Sequence, residues 1–199
     1  MEVIKMKKKN VKTSIVILLM VVAGIAYYYY LSNRTPSVDA TQQAVDNQEL
    51  GDLLSRDVDN NYPQSPKEVV KLYMRIAKQY YGNNISEDQI DTLGKQARRL
   101  FDDELKSKQS EDEFLKALKQ EISDYNNQNR YISDYKIESS SDVKYKTLNN
   151  KKYASIDTLF YIRQSDNLVY SYTRFTLRQD NNGRWKILYW ELYKPDDNN

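Results

Sequence analysis

The chain has 199 residues, enough for about one domain plus attachments. It has no cysteine and no histidine, which excludes disulfides, thiol nucleophiles, Cys/His zinc sites and His-based acid–base pairs. The net charge is +2, but it is unevenly spread: removing the five lysines and one glutamate of residues 1–12 from totals of 30 and 28 leaves 25 basic and 27 acidic groups, so the rest of the chain carries no nucleic-acid footprint.

Residues 1–12 read as a basic cytoplasmic tail, with Lys5, Lys7, Lys8, Lys9 and Lys12. Residues 13–31 carry no charge. As a helix they would span about 28 Å, close to the hydrocarbon thickness of a bilayer. Thr13, Ile15, Leu18, Leu19, Val22 and Ile25 lie along this expected transmembrane helix, and Tyr27, Tyr30 and Leu31 lie at its far end. The tyrosine block Tyr27–Tyr30 suits the headgroup level, and the lysines stay inside under the positive-inside rule. The expectation is a single-pass protein of the cell membrane, N-terminus cytoplasmic and C-terminal domain outside. A signal peptide cleaved after Gly24-Ile25-Ala26 is the rival reading.

Residues 32–61 lose periodicity and are acidic, and read as a stalk or linker with a short helix around residues 44–55. Residues 62–195 form the expected extracytoplasmic domain, followed by a disordered tail, 196–199. Three helix starts share a capping-box spacing: Ser65 with Glu68, Ser86 with Gln89, and Ser110 with Glu113. Gly82 is expected to stop the first helix. Apolar residues recur with helical period after each start. Ile90, Leu93, Ala97, Leu100, Phe101 and Leu105 fall on one face of the second helix.

After Asn129 the period changes to two. Strands are expected over residues 134–138, 142–147, 152–163, 168–178 and 184–193, with turns at Asn149-Asn150, Ser165-Asp166-Asn167 and Asn181-Asn182-Gly183. Matching apolar faces pairs Ile162 with Val169, Phe160 with Ser171 and Ile156 with Phe175. The next hairpin then pairs Phe175 with Tyr189 and Leu177 with Ile187. The second face carries Tyr153, Leu159, Tyr161, Tyr170, Tyr172, Leu188, Trp190 and Leu192. The fold class expected is α+β, three N-terminal helices on a curved antiparallel sheet, preceded by one transmembrane helix.

This order of elements, with the terminal hairpin Asp180-Asn181-Asn182-Gly183-Arg184-Trp185-Lys186-Ile187-Leu188, resembles the nuclear-transport-factor-2-like superfamily, NTF2-like for short. The resemblance implies a cone-shaped fold with a pocket between helices and sheet. The Lys-rich start, the tyrosine block and the run Asn61-Tyr62-Pro63 through Pro66, Glu68-Val69-Val70 and Tyr73 resemble an uncharacterised family of membrane-anchored proteins from Gram-positive bacteria. The anatomy is similar, too, to single-span assembly components of secretion and conjugation machines.

Enzymes of that superfamily use acids, tyrosines or histidine in the pocket. Here the candidate polar group is Asp157, with an alternative pairing to Arg174 across the hairpin. Tyr161, Tyr170, Tyr172 and Trp190 are the candidate partner or dimer face. Arg98-Arg99 and the acids Asp102 to Glu104 read as a solvated ion-pair face, and Glu111 to Glu113 as a first-turn acidic cluster that suits the helix dipole. No Gly-rich phosphate loop, Ser-nucleophile motif or EF-hand spacing occurs. No catalytic residue, cofactor or metal is therefore expected. The expected function is a membrane-anchored extracytoplasmic binding or assembly module, not an enzyme. The alternatives are a small-ligand carrier or enzyme using the cone cavity, or an assembly component of a secretion or conjugation machine. The expected partners are the membrane, through the single span, and a protein or second copy through the sheet, with no nucleic acid.

Overall fold

The computed structural model describes residues 40–82 and 85–194. The basic tail, the expected span 13–31 and the tail 196–199 lie outside the described residues. Among the described residues, no helix is long and apolar enough to cross a membrane.

Serines open three of the helices at the predicted places. Ser65 caps α2 (Pro66–Tyr80), Ser86 caps α3 (Glu87–Arg99) and Ser110 caps α5 (Glu111–Asn127). The reciprocal bond is made in the last two, where Gln89 and Glu113 return to the cap amides. At Ser65, Glu68 instead accepts from the Gln64 amide, one residue upstream. Helix α2 ends at Tyr80, where the Gly82 amide turns back to the Gln79 carbonyl.

Two helices depart from expectation. The segment expected as linker with a short helix around residues 44–55 contains the longer α1 (Ala40–Leu54), and from Glu49 onward the chain belongs to one compact unit. Leu53 and Val58 are fully buried, Gln96 donates to the Leu53 and Leu54 carbonyls, and Arg75 forks onto Glu49 at 2.6 and 2.8 Å. The folded body therefore starts before Tyr62. The second predicted helix is also broken: α3 stops at Arg99 and a single turn, α4 (Asp103–Lys106), follows. Leu100 is the C-cap of the first and Asp102 caps the second, its carboxylate accepting from the Glu104 amide.

The strands are β1 (Arg130–Ile137), β2 (Lys144–Leu148), β3 (Lys151–Gln164), β4 (Asn167–Gln179) and β5 (Trp185–Leu192). They form one five-stranded antiparallel sheet in the order β1-β3-β4-β5, with β2 pairing the remaining length of β3. The described residues are thus α+β, five helices and a five-stranded open sheet. Asn149 and Asn150 both take left-handed φ, 50° and 61°, as a tight hairpin between right-twisted strands requires. The predicted β3–β4 register is the one found: Ile162 faces Val169, Phe160 faces Ser171 and Ile156 faces Phe175.

The face carrying Ala154, Ile156, Phe160, Ile162, Phe175 and Leu177 is buried against the helices. Helix α3 has Gly94 where it meets α5, since a Cβ there would lie 2.7 Å from a methyl of Leu115. The β4–β5 register differs from expectation by one residue beyond Leu177. Leu177 faces Ile187, but Thr176 faces Tyr189, so Leu188 is an extra, bulged residue. Phe175 is therefore opposite Trp190, not Tyr189.

Candidate functional site

A bulge reverses the sense of every later side chain in its strand. Trp190, expected on the outer face, is thereby turned to the helix side of the sheet. There it meets Tyr73 of α2, Phe101 and Phe175 at centroid distances of 5.6, 5.7 and 6.0 Å. Phe101 in turn meets Phe114 of α5 edge-on at 5.6 Å. These rings form the aromatic floor of a groove of about 1530 Å³ between the helices and the sheet. That volume exceeds the roughly 300–1,000 Å³ of ordinary small-molecule pockets.

Phe101 reaches this floor because the chain between α3 and α4 is tied to β5. The Ile187 amide donates to the Leu100 carbonyl and the Asp102 amide donates to the Ile187 carbonyl, both at 2.8 Å. This makes a short parallel bridge at Phe101. Behind it, Arg178 of β4 forks onto the buried Asp102 and reaches Glu104 at 3.0 Å. The Asp102 carboxylate also raises the Arg178 pKa further above its ordinary value. One acid of the face read as solvated, Asp102, is thus buried in a clamp whose base, Arg178, lies on β4.

The walls carry polar groups of two kinds. Burial raises the hydroxyl pKa of Tyr73 to about 12 and also pushes those of Tyr80 and Tyr81 well up, so these groups stay neutral phenols at ordinary pH. Toward solvent lie the cations Arg98, Lys108, Arg130 and Lys194 and the acids Glu121 and Glu191. Arg98 donates to the Lys106 and Gln109 carbonyls at 2.9 and 2.6 Å and lies over Phe114. Arg130 lies 4.5 Å over the Tyr125 ring, and its buried Nε has no acceptor. The described lining holds no buried carboxylate. What this arrangement can do is bind an apolar body and meet negative charge at the mouth.

The residues expected to form one partner face are divided. Tyr161 and Tyr170 pack edge-on at 5.7 Å on the outer face, with Tyr172 on the same side against Tyr193. Trp190 is on the other face. Asp157 also points away from the groove, so it cannot serve as the groove's polar group. It is paired across the hairpin with Arg174 through two bonds of 2.6 and 2.8 Å, which holds its carboxyl below the usual range. Among the described residues, no group of His, Cys, Asp and Glu is arranged to hold a metal ion.

Sequence reasoning places Phe101 on an apolar helix face and Tyr73 in the family-like run, and singles out neither Phe114 nor Arg130. The one visible signal is the clash between alternation and composition in β5, where Leu188, Tyr189 and Trp190 place three large side chains in succession.

A profile of the family described as Domain of unknown function (DUF6715) matches residues 1–190, and the chain belongs to that family. Among curated proteins, none matches the chain.

Proposed function

We propose that this chain is a non-catalytic binding module, tethered to the outer side of a membrane by residues 13–31, whose aromatic-floored groove captures a ligand or partner. The observation that carries this reading is the groove itself: an apolar floor of Tyr73, Phe101, Phe114, Phe175 and Trp190 with charge confined to its mouth. Helices followed by a sheet with a cavity between them support the cone of the NTF2-like superfamily. The charge-free run 13–31 beside a lysine cluster supports the tether. Tethering raises the effective concentration of a weak site along the membrane plane.

Two measurements test the two halves. On fractionation, the full chain is expected in the membrane pellet; recovery in the cytosol alone removes the tether. In lipid nanodiscs, fluorinated aromatic fragments are expected to bind the full chain, read by line broadening in fluorine NMR, and to lose binding on Trp190→Ala. Fragments that bind both proteins equally, or neither, remove the groove as the site.

A further inference from the structure

The groove has one wall that is not made of side chains. Strand β4 has 13 residues and β5 only 8, so β4 overhangs its neighbour. The last rung between them is the Tyr193 amide donating to the Tyr172 carbonyl at 3.1 Å. Backbone groups alternate sides along a strand. Tyr170 and Leu168 therefore point their N–H and C=O the same way as Tyr172, and no described residue pairs with them there. Val169, Tyr170 and Ser171 border the groove at this edge.

We infer that the open edge of β4 from Asn167 to Ser171 accepts an extended acidic segment of another polypeptide as an added β-strand. This rests on the reading of the groove as a binding site and names the chemistry of its partner. Proteins usually blunt exposed edges with lysines, prolines or bulges. Leu168-Val169-Tyr170-Ser171-Tyr172 has none of these, and Leu168, Val169 and Tyr170 are 37%, 36% and 55% exposed. The residue two past Tyr193 is Pro195, which has no N–H for the Tyr170 carbonyl. Added strands gain affinity from main-chain bonds and specificity from alternate side chains.

Charge selects the partner's composition. Four cations (Arg98, Lys108, Arg130, Lys194) stand at the mouth against two acids, Glu121 and Glu191. None of these cations makes an ion pair among the described residues, and Arg130 has a buried donor to satisfy. An acidic strand would meet them while its alternate apolar side chains pack beside Val169 and the aromatic floor.

The test uses the full chain in nanodiscs and a fluorescein-labelled, capped hexapeptide alternating Glu and Val. Two analogues carry N-methyl groups on every second amide, on the Glu or on the Val residues, which leaves side chains alike but removes one edge of donors. Saturable binding by anisotropy is expected, with at least tenfold loss in one analogue. Tyr170→Pro, whose lost N–H bonds no described residue, is expected to weaken binding at least tenfold. Val169→Glu leaves the backbone intact and is expected to do the same by repelling the acidic strand. No peptide binding at millimolar concentration overturns the inference. So do equal binding by the parent and both analogues, and full binding by either variant. If fluorinated fragments still occupy the groove when the peptide fails, only strand addition is lost; if both fail, the groove reading falls with it.

Discussion

Trp190 lies directly across from Phe175 on the neighbouring strand, with ring centroids 6.0 Å apart. The pair exists only because Leu188 is bulged out of the ladder between them and Ile187. Removing that one residue would leave Tyr189 opposite Thr176 and Trp190 opposite Phe175 in plain alternation, whereas one extra residue between Tyr189 and Trp190 would send the ring to the outer face. In a Trp185→Phe background, deletion of Leu188 is therefore expected to keep Trp190 emission and fragment binding, whereas insertion of an alanine between Tyr189 and Trp190 is expected to shift the emission to the red and to abolish fragment binding. Unchanged emission in the insertion variant would mean that the register of β5 does not place the ring.

Arg178 and Asp102 make a second dependence. Asp102 is 4% exposed, and Arg178 is its cationic partner. Breaking a buried pair from one side leaves an uncompensated charge, at a cost of about 3–5 kcal/mol. Since Arg178 keeps some contact with solvent, Arg178→Ala is expected to destabilise the protein by about 2–4 kcal/mol, measured by urea unfolding. Because the clamp holds the segment bearing Phe101, fragment affinity is expected to fall as well. A loss below about 0.5 kcal/mol, the scale of an ordinary surface substitution, would contradict the clamp.

The buried tyrosines set the alkaline limit. A phenol whose folded pKa is raised contributes stability below its unfolded value, and this contribution is lost as pH rises through the folded value. For Tyr73 that window runs from the ordinary 10.0 to about 12, and burial of Tyr80 extends the loss upward. Thermal stability is expected to fall steeply from pH 10 to 12, in step with tyrosine ionisation read by ultraviolet absorbance. Ionisation of all tyrosines near pH 10 with the fold intact would contradict their burial.

At the acid end the sign reverses. Glu49 and Asp157 have lowered pKa values because Arg75 and Arg174 hydrogen-bond to them. Their contribution is present above the unfolded values of about 4 and is lost as pH falls through the folded ones. Both pairs are partly solvated, so each is worth on the order of 1 kcal/mol or less. Glu49→Gln is expected to lower stability at pH 7 and to flatten its decline below about pH 4. The same mutation tests whether the turns from Glu49 to Leu54 belong to the folded body.

Much of the sheet is legible in the amino-acid sequence. Apolar alternation on β3 and β4 allows only one register, and the asparagine pair and Gly183 mark the turns. The serine caps are equally legible, since capping depends on residues three apart. What is not legible is set by tertiary contacts. Helical period runs unbroken from Ile90 to Leu105, yet the helix stops because Leu100 and Asp102 bond to Ile187, some 87 positions downstream for the Leu100 pairing. The Leu188 bulge is likewise a property of the ladder, and it separates Trp190 from the tyrosines with which alternation groups it. The helix containing Leu53 reads as linker because its helical apolar stripe is weak, although Leu53 itself is fully buried.

The central claim is that the cavity over Phe101 and Trp190 is the binding site. Its most direct test is Trp190 emission from the full-length Trp185→Phe protein in nanodiscs, titrated with a fluorinated aromatic fragment. The account predicts a saturable change that Phe101→Lys abolishes. Fragment binding seen by fluorine NMR with Trp190 emission unchanged would contradict it.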